Sequence, residues 1–410
     1  MQSERNLAKH LKIIEIPIAL TQRILRRECV AFIGAGFSMP CGMPNWIGLI
    51  SELLLEAKRS LPSNLSDTIA SCEHAIIAKN LPLAANLIRR LLGPCELEEA
   101  IRKSFNTTRY FRAREAQRDE MTERMRAVVN VPWAGIITTN YDELIEYALS
   151  LFAPSWMTIT KAEGNHSRLG TVLSATGDGG LFFVKLHGGI SGDKLVLTTE
   201  EYNHAYISTP QVTTFLSALM LRYHLVFIGC SLEDELIRIR RKLTYDYKGM
   251  IPTAYAVLEH NLDANVHESF LRDEAQVMCL YYQKGQHFQV TEFLRSLAKL
   301  RDLVTGEADT RSNLIKLPLE ERIYAIGTIN QRLLTLIKEQ PNETILLRDL
   351  KNLKKSGLEK IGPLLIDISP EERVYRMLFL VSIGLVSETS EGYRITPETS
   401  AALQSSPRQR

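Results

Sequence analysis

Cysteine is sparse in this sequence, and its spacing excludes two kinds of stabilising site. The 410 residues contain six cysteines, of which no two form a Cys-x-x-Cys pair, and no cysteine and histidine cluster has zinc-finger spacing. Isolated cysteines in soluble proteins are usually reduced and buried. We therefore expect neither disulfide bonds nor a metal site.

Long apolar runs and charge imbalance are absent as well. No stretch approaches the ~20 apolar residues of a membrane helix, and Lys12, Glu15 and Pro17 interrupt the only apolar segment near the N-terminus, unlike a signal peptide. With 49 Lys and Arg against 47 Asp and Glu, the net charge of +2 gives no basic field for nucleic acid or anionic lipid. We expect a cytoplasmic protein without membrane contact or direct nucleic-acid binding.

Short apolar runs alternate with segments of helical periodicity over the first 300 residues. The predicted strands are 29–33, 134–139, 181–186, 194–197, 225–228, 254–258 and 276–281. The predicted helices are 16–27, a long helical insert over about 46–130, then 143–151, 234–243 and 290–300. Strands that alternate with helices form parallel sheets covered on both faces. The pattern predicts an α/β fold with a Rossmann-like, doubly wound parallel sheet.

The last hundred residues have a different organisation. The predicted elements are a polar linker at 302–312, helices at 319–338, 346–355 and 371–383, short strands at 385–387 and 393–395, and a helix at 398–403. Helices followed by a hairpin resemble a winged helix. We therefore predict a first domain over 1–300, a linker over 301–312 and a smaller, winged-helix-like domain over 313–410.

The first predicted strand runs into Gly34-Ala35-Gly36-Phe37-Ser38. The glycines permit a tight turn and a close approach of the backbone to a pyrophosphate, and the Ser38 hydroxyl adds a donor. The third glycine of the dinucleotide-binding fingerprint is missing, because Met39 stands in its place. By itself the segment fits either a phosphate-binding loop or an ordinary glycine turn.

The second segment, Thr138-Thr139-Asn140-Tyr141-Asp142, follows the next predicted strand. Asn140 can hold a water or a carboxamide, and Asp142 can fix Asn140 or accept a hydrogen bond from a ribose hydroxyl. Asp142 also precedes a predicted helix and suits an N-cap, which is compatible with either role.

The third and fourth segments are Lys185-Leu186-His187-Gly188-Gly189 and Gly229-Cys230-Ser231. His187, at a strand end and beside two glycines that keep the approach open, suits a general base, although a single histidine is commonly structural. Ser231 can hold a phosphate or ribose, or simply cap the next helix. Ligands in such sheets bind beyond the carboxyl ends of the strands, so all four segments are expected to reach one crevice.

In this order the four segments resemble the NAD site of the sirtuin family, which uses a Gly-Ala-Gly-x-Ser loop, a Thr-x-Asn-x-Asp segment, a His-Gly pair and a late Gly-x-Ser. The resemblance covers about residues 20–300 and implies that the first domain binds NAD and is catalytic. Residues implied to bind NAD are Gly34, Ala35, Gly36, Ser38, Thr139, Gly229 and Ser231. Residues implied in catalysis are Asn140, Asp142 and His187, the last as the base.

Two departures narrow the resemblance. Protein-deacylating sirtuins carry a four-cysteine zinc module after the histidine, whereas only Cys230 lies between His187 and Ser231 here. The family's Asp-Phe-Arg segment is replaced by Pro44-Asn45-Trp46-Ile47. With the helical insert, these features resemble the bacterial sirtuin-like NAD hydrolases of anti-phage defence, and among them the members partnered with a HerA-type hexameric ATPase. This implies NAD as substrate, a homo-oligomer and such an ATPase as partner.

Two alternatives stay open. An NAD-dependent protein deacylase would release nicotinamide only when an acyl-lysine peptide is supplied. An NAD-responsive regulator would bind DNA through the C-terminal domain, but residues 301–410 hold 16 Lys and Arg against 15 Asp and Glu, and the best basic patch is Lys351, Lys354 and Lys355.

Apolar residues at helical spacing mark the C-terminal domain: Tyr375, Leu378, Phe379 and Ile383. They fit either the core of that domain or a protein contact that gates the NAD pocket through oligomerisation.

Overall fold

The computed structural model describes residues 14–405, apart from 61–65, 107, 154–156, 164–168, 175–179, 193–194, 209, 233–234, 261–263, 306–314, 316, 327 and 354–369. Two compact units make up the chain. Unit 1 contains Arg27–Arg295, and unit 2 contains Ile16–Arg26 together with Ser296–Arg410. Each unit has its own cluster of buried apolar residues.

Unit 1 is built on a seven-stranded sheet. Its strands are β1 (Cys29–Ile33), β2 (Gly135–Thr138), β3 (Ile159–Glu163), β4 (Leu181–Lys185), β5 (His224–Ile228), β6 (Ala254–Glu259) and β7 (Val277–Tyr282). The order is β3-β4-β2-β1-β5-β6-β7, and every neighbouring pair is parallel. Strands β1, β2 and β4 are buried along their whole length, as parallel strands covered on both faces must be. The predicted Rossmann-like α/β fold is confirmed.

Six of the seven predicted strands are present with small shifts of their ends, and one is wrong. The described part of 194–197 forms no strand, although Val196 and Leu197 are buried. Their burial comes from loop contacts, since Val196 donates its N–H to the carbonyl oxygen of His187. The one strand of this sheet that the sequence did not predict is β3. Its sequence, ITKAE, contains no apolar run because β3 lies at the edge of the sheet.

Helices alternate with these strands and form the predicted insert. In chain order they are α1 (Ile18–Leu25), α2 (Trp46–Ser60), α3 (Ser66–Ile77), α4 (Leu81–Leu92), α5 (Pro94–Ser104), α6 (Thr108–Arg112), α7 (Glu115–Asn130), α8 (Leu144–Phe152), α9 (Leu169–Ser174), α10 (Thr199–Asn203), α11 (Pro210–Arg222), α12 (Glu235–Asp246), α13 (Ala264–Ala275) and α14 (Phe288–Thr305). The insert between β1 and β2 consists of α2 to α7. A search of the described helices finds none long and apolar enough to cross a bilayer.

Unit 2 combines helices with a small antiparallel sheet. Its strands are β8 (Thr344–Leu346), β9 (Val386–Glu388) and β10 (Gly392–Ile395), in the order β8-β10-β9. Its further helices are α15 (Leu319–Ala325), α16 (Thr328–Lys338), α17 (Leu347–Lys351), α18 (Pro370–Ser382) and α19 (Pro397–Ser405). The predicted hairpin is confirmed, and β8 adds a third strand to it. The predicted linker is wrong over 301–305, which belong to the helix α14. The rest of it, and the basic patch residues Lys354 and Lys355, lie outside the described residues.

The apolar residues singled out in the C-terminal domain pack its own core. Phe379 and Ile383 are buried in the core of unit 2, and Leu378 packs against it. The side chain of Tyr375 lies outside the described residues. Of the two roles considered for this helix face, the structure therefore confirms the core role for these three residues.

The N-terminal helix α1 is part of unit 2, whereas the sequence prediction counted it in the first domain. Gln22 Nε2 donates a hydrogen bond of 2.7 Å to the hydroxyl of Tyr393. Arg26 forms an ion pair with Glu388, and Ile18 packs against the core of unit 2. These contacts span more than 300 residues, so no local pattern in the sequence reveals them.

Candidate functional site

The four polar segments follow four neighbouring strands, β4, β2, β1 and β5. From β1 the chain first adds strands on one side of the sheet and then, from β5 onwards, on the other. Such a reversal of strand order leaves a crevice beyond the carboxyl ends of the strands, where ligands bind in open α/β sheets. The fold therefore brings the four segments to one edge of the sheet, as expected.

The glycine loop uses most of its backbone donors within the protein. Four of its five N–H groups donate to carbonyl oxygens of the protein at 2.9–3.0 Å, namely those of Gly34, Gly36, Phe37 and Ser38. Across the described residues, the N–H of Ala35 finds no acceptor. Ala35 is half-buried, so its N–H is the donor that this loop offers to an anion in the observed conformation.

The close approach that these glycines permit is made to the backbone after β5. Gly229 has φ +70°, and a Cβ on it would lie 2.4 Å from the nitrogen of Phe37. A Cβ on Gly34 would lie 2.6 Å from the carbonyl oxygen of Gly229. From the sequence, these glycines were expected to let the backbone approach a pyrophosphate. In the structure the glycines first serve to pack the two loops together.

A buried arginine from the insert holds the same loop. Arg124, on α7, is 1% exposed and donates to the carbonyl oxygen of Phe37 at 3.1 Å. It also donates to the Thr291 hydroxyl and pairs with Glu120 at 2.9 Å. Burial lowers the pKa of this guanidinium, and the charge of Glu120 opposes part of the shift. Arg124 therefore connects the helical insert to the glycine loop and holds that loop in place.

Asn140 links the first two segments. Its Nδ2 donates to the carbonyl oxygen of Gly34 at 3.2 Å and to Ser38 Oγ at 3.3 Å. Its backbone N–H is held by Thr138 Oγ1, which itself donates to the carbonyl oxygen of Ile33. Asn140 is 6% exposed, and its Oδ1 has no hydrogen-bond partner among the described residues. A buried amide oxygen without a donor is uncommon and indicates a position for a ligand or a water.

Asp142 is buried and serves the start of a helix. Its Oδ1 accepts a hydrogen bond of 3.1 Å from the N–H of Leu144, the first residue of α8. Burial raises the pKa of this carboxyl, while the charge of Lys185 and hydrogen bonds from Leu144 and Ser38 act in the opposite direction. The N-cap of α8 is Glu143, so the predicted N-cap position of Asp142 is wrong by one residue, although its buried carboxylate still accepts from the first N–H of the helix.

Lys185 organises the loop between β2 and α8. Its Nζ donates to the carbonyl oxygen of Asp142 at 2.6 Å and pairs with Glu146 Oε1 at 2.7 Å. The side chain is 4% exposed, against 26% for Glu146. Burial raises the pKa of Glu146, with Lys185 opposing the shift. A buried ammonium thus ties the His187 strand to the Asn140 loop.

His187 lies at the end of β4 and is 8% exposed. Its Nε2 is 2.7 Å from the hydroxyl of Tyr206. Burial lowers the pKa of the imidazole from 6.5 to about 4. The ring is therefore neutral near pH 7, which is the state that a general base requires.

An aromatic stack lies beside His187. Trp46 stacks on Tyr202 with ring centroids 5.2 Å apart, and Tyr202 stacks on Tyr206 at 5.8 Å. The edge of the His187 ring meets Tyr202 at 5.2 Å. Trp46 Nε1 is buried and has no partner within the described part of the chain. Trp46 thus stacks on the tyrosine whose ring meets His187.

The structure brings most of the predicted site residues together. Ser38, Asn140 and Asp142 form one hydrogen-bonded group, and Gly34 and Gly229 pack against each other. Thr139 is half-buried and Ser231 is exposed, so neither joins that group. Sequence reasoning did not find the structural roles of three residues: Lys185, Tyr206 and Arg124. A lysine inside an otherwise apolar strand was the one available signal.

Among the described residues, no three His, Cys, Asp or Glu side chains lie close enough together to hold a metal ion.

One family of known proteins matches part of the chain. The sequence model of the family described as "SIR2-like domain" matches residues 134–277. The match runs from β2 to the start of β7 and includes Asn140, His187 and Gly229, but not the glycine loop after β1. No curated protein matches the chain. Over this part of the chain, the match supports a sirtuin-like domain and, with it, an NAD-related activity.

Proposed function

We propose that this protein hydrolyses NAD⁺ to nicotinamide and ADP-ribose. The observation that supports this most is the buried, unpartnered Oδ1 of Asn140 on the strand end next to that of His187. Leaving a buried acceptor unsatisfied costs about 1–3 kcal/mol. A donor from a ligand removes that cost, and both the nicotinamide carboxamide and an attacking water are such donors.

The chemistry requires little more than positioning and a base. The bond between C1′ of the ribose and N1 of the pyridinium breaks, and its electron pair stays on N1 as neutral nicotinamide leaves. A water oxygen bonds to C1′, and a proton of that water passes to neutral His187. Asn140 holds the water or the carboxamide, and the Ala35 N–H and Ser231 contact the rest of the dinucleotide. A positioned base typically supplies ~10²–10⁴-fold in rate.

The direct test uses the purified full-length chain with NAD⁺ and no other substrate. Nicotinamide and ADP-ribose are expected to appear in equal amounts. Asn140→Ala and His187→Ala should each lower turnover by about 100-fold or more while leaving the protein folded. Tyr147→Phe is the matched control, because Tyr147 is half-buried on α8 and contacts Tyr110 and Phe111 instead.

Full turnover in both alanine variants would contradict the roles of Asn140 and His187. Nicotinamide release that depends on an added acyl-lysine peptide would instead identify a protein deacylase. The two reactions are therefore separated by one assay, run with and without the peptide.

We further propose that the reaction depletes cytoplasmic NAD⁺ in anti-phage defence, within a homo-oligomer controlled by a HerA-type hexameric ATPase. The buried state of the candidate residues supports such control. Asn140, Asp142 and His187 are all less than a tenth exposed, so substrate needs a conformational opening to reach them. A partner that binds the open state more tightly would shift the population towards it.

Sedimentation of the full chain, alone and with such an ATPase, tests this control alongside NAD⁺ turnover. We expect an oligomer whose turnover rises with the ATPase. NAD⁺ should fall in phage-infected cells that carry the wild type and stay constant in cells that carry His187→Ala. A monomer with constant, partner-independent turnover would contradict the proposal.

A further inference from the structure

The ring of His187 is held at one nitrogen only. Nε2 meets the Tyr206 hydroxyl at 2.7 Å, while Nδ1 has no hydrogen-bond partner in the described ranges. The two rings meet edge to face, with centroids 5.9 Å apart and planes at 87°. Both residues are 8% exposed, so bulk water does not compete freely for this bond. The hydrogen bond to Tyr206 therefore fixes the orientation of the imidazole ring.

The position of Tyr206 is itself determined by several contacts. Tyr206 lies in a single π-helical turn, His204–Ser208, that continues directly from α10. Such turns are rare and frequently occur at functional sites. The start of α10 is closed by a capping box between Thr198 and Glu201, and Glu201 also pairs with Arg89 at 2.9 Å. The phenol ring is thus held before any substrate binds.

A neutral imidazole carries one N–H, and its place decides what the ring can do. With the proton on Nε2, that nitrogen donates to the Tyr206 oxygen, and the Nδ1 lone pair can accept a proton. With the proton on Nδ1, the hydroxyl donates to Nε2, and the ring has no free basic nitrogen. Only the first arrangement makes His187 a base towards a group that approaches Nδ1.

We propose that Tyr206 is a positioning residue for His187: its hydroxyl oxygen accepts the Nε2–H bond and so keeps the Nδ1 lone pair free to take the proton of the attacking water. This inference rests on the proposed hydrolysis of NAD⁺ and adds which nitrogen of His187 acts. When water attacks C1′, its proton forms the Nδ1–H bond. The imidazolium produced keeps its Nε2–H bond to Tyr206, which stabilises the new charge.

The test replaces Tyr206 by phenylalanine in the full-length chain. Tyr206→Phe keeps the ring in its stack with Tyr202 and removes only the hydroxyl. The ¹⁵N resonances of the imidazoles show directly which nitrogen carries the proton. Of the nine histidines, His187 is identified by the signal that disappears in His187→Gln. Tyr147→Phe again serves as the matched control.

In the wild type we expect His187 to be protonated on Nε2, and in Tyr206→Phe to become a mixture or to shift to Nδ1. The kcat for NAD⁺ should fall by about tenfold or more, with KM within about twofold, because binding contacts are unchanged. Melting temperatures of the two tyrosine variants should match that of the wild type, which separates positioning from loss of fold.

Protonation of His187 on Nδ1 in the wild type would overturn the proposal. An unchanged tautomer and unchanged kcat in Tyr206→Phe would overturn it as well. If the wild type does not hydrolyse NAD⁺, the proposed function fails, yet the ¹⁵N measurement still decides whether Tyr206 sets the tautomer. The two failures are therefore distinguishable.

Discussion

The carbonyl oxygen of Gly229 accepts a hydrogen bond of 2.9 Å from the N–H of Gly36, between β1 and β5, where the strand order reverses. The two loops that the family resemblance implies in NAD binding are therefore bonded to each other. Any ligand at this edge meets them as one surface, and the stability of that surface depends on residues without side chains.

Gly229→Ala should destabilise unit 1 by at least about 2 kcal/mol. The residue has φ +70°, and the added Cβ would meet backbone atoms of Gly36 and Phe37 that cannot move independently. All three tryptophans lie between Arg27 and Arg295, so tryptophan fluorescence during urea unfolding reports this unit. Gly285→Ala is the control, since Gly285 has φ +74° and open space around it. It should lose only about 1 kcal/mol, and equal losses in both variants would contradict the packing argument.

Ala35→Pro should weaken NAD⁺ binding without unfolding the loop. Proline removes the one loop N–H that has no acceptor among the described residues. Gly34 is extended, with φ −108° and ψ −179°, as a residue before proline prefers. The loss of one hydrogen bond to a charged phosphate corresponds to about a tenfold rise in Kd.

The Kd for NAD⁺ is measured by calorimetry in the His187→Ala variant, with and without the additional Ala35→Pro change. The His187→Ala background prevents turnover during the titration. Ala35→Ser retains the N–H and should bind like its parent. If proline and serine at this position give the same Kd, the Ala35 N–H does not contact the ligand.

Lys185→Met should lower the free energy of unfolding by about 3 kcal/mol, because it leaves a largely buried carboxylate and a carbonyl oxygen without their cation. The partners are Glu146 at 2.7 Å and the carbonyl oxygen of Asp142 at 2.6 Å. Combining Lys185→Met with Glu146→Gln removes the stranded charge and should recover at least about 1 kcal/mol. Urea unfolding of the four proteins completes the cycle, and strictly additive losses would show that the pair is not coupled.

Acid should destabilise the wild type more than His187→Gln. The pKa of His187 is lowered to about 4 in the folded protein, against 6.5 for an ordinary histidine. Its contribution is therefore fully present above pH 6.5 and is lost as the pH falls towards 4, because the unfolded chain binds the proton first. The difference between the two proteins over this range should be about 3 kcal/mol. Parallel curves of unfolding free energy against pH would show that the histidine titrates normally.

Local sequence patterns predicted the sheet well where burial and strand coincide. Strands β1, β2 and β4 are apolar because both of their faces are covered, and each was found from its apolar run. The rule that an apolar run marks a strand failed at two places. Val196 and Leu197 are buried in a loop, whereas the edge strand β3 needs no apolar run.

The sequence by itself determined six of the seven strands of this sheet, the order of the polar segments and their arrival at one edge, because these depend on short-range patterns and on the geometry of parallel sheets. Tertiary structure alone decided how the segments contact each other. The Tyr206 bond to His187, the packing of Gly229 on Gly36 and the Gln22 bond to Tyr393 join distant parts of the chain. No local propensity encodes such pairs, since they form only when whole elements pack and leave their side chains within hydrogen-bond distance.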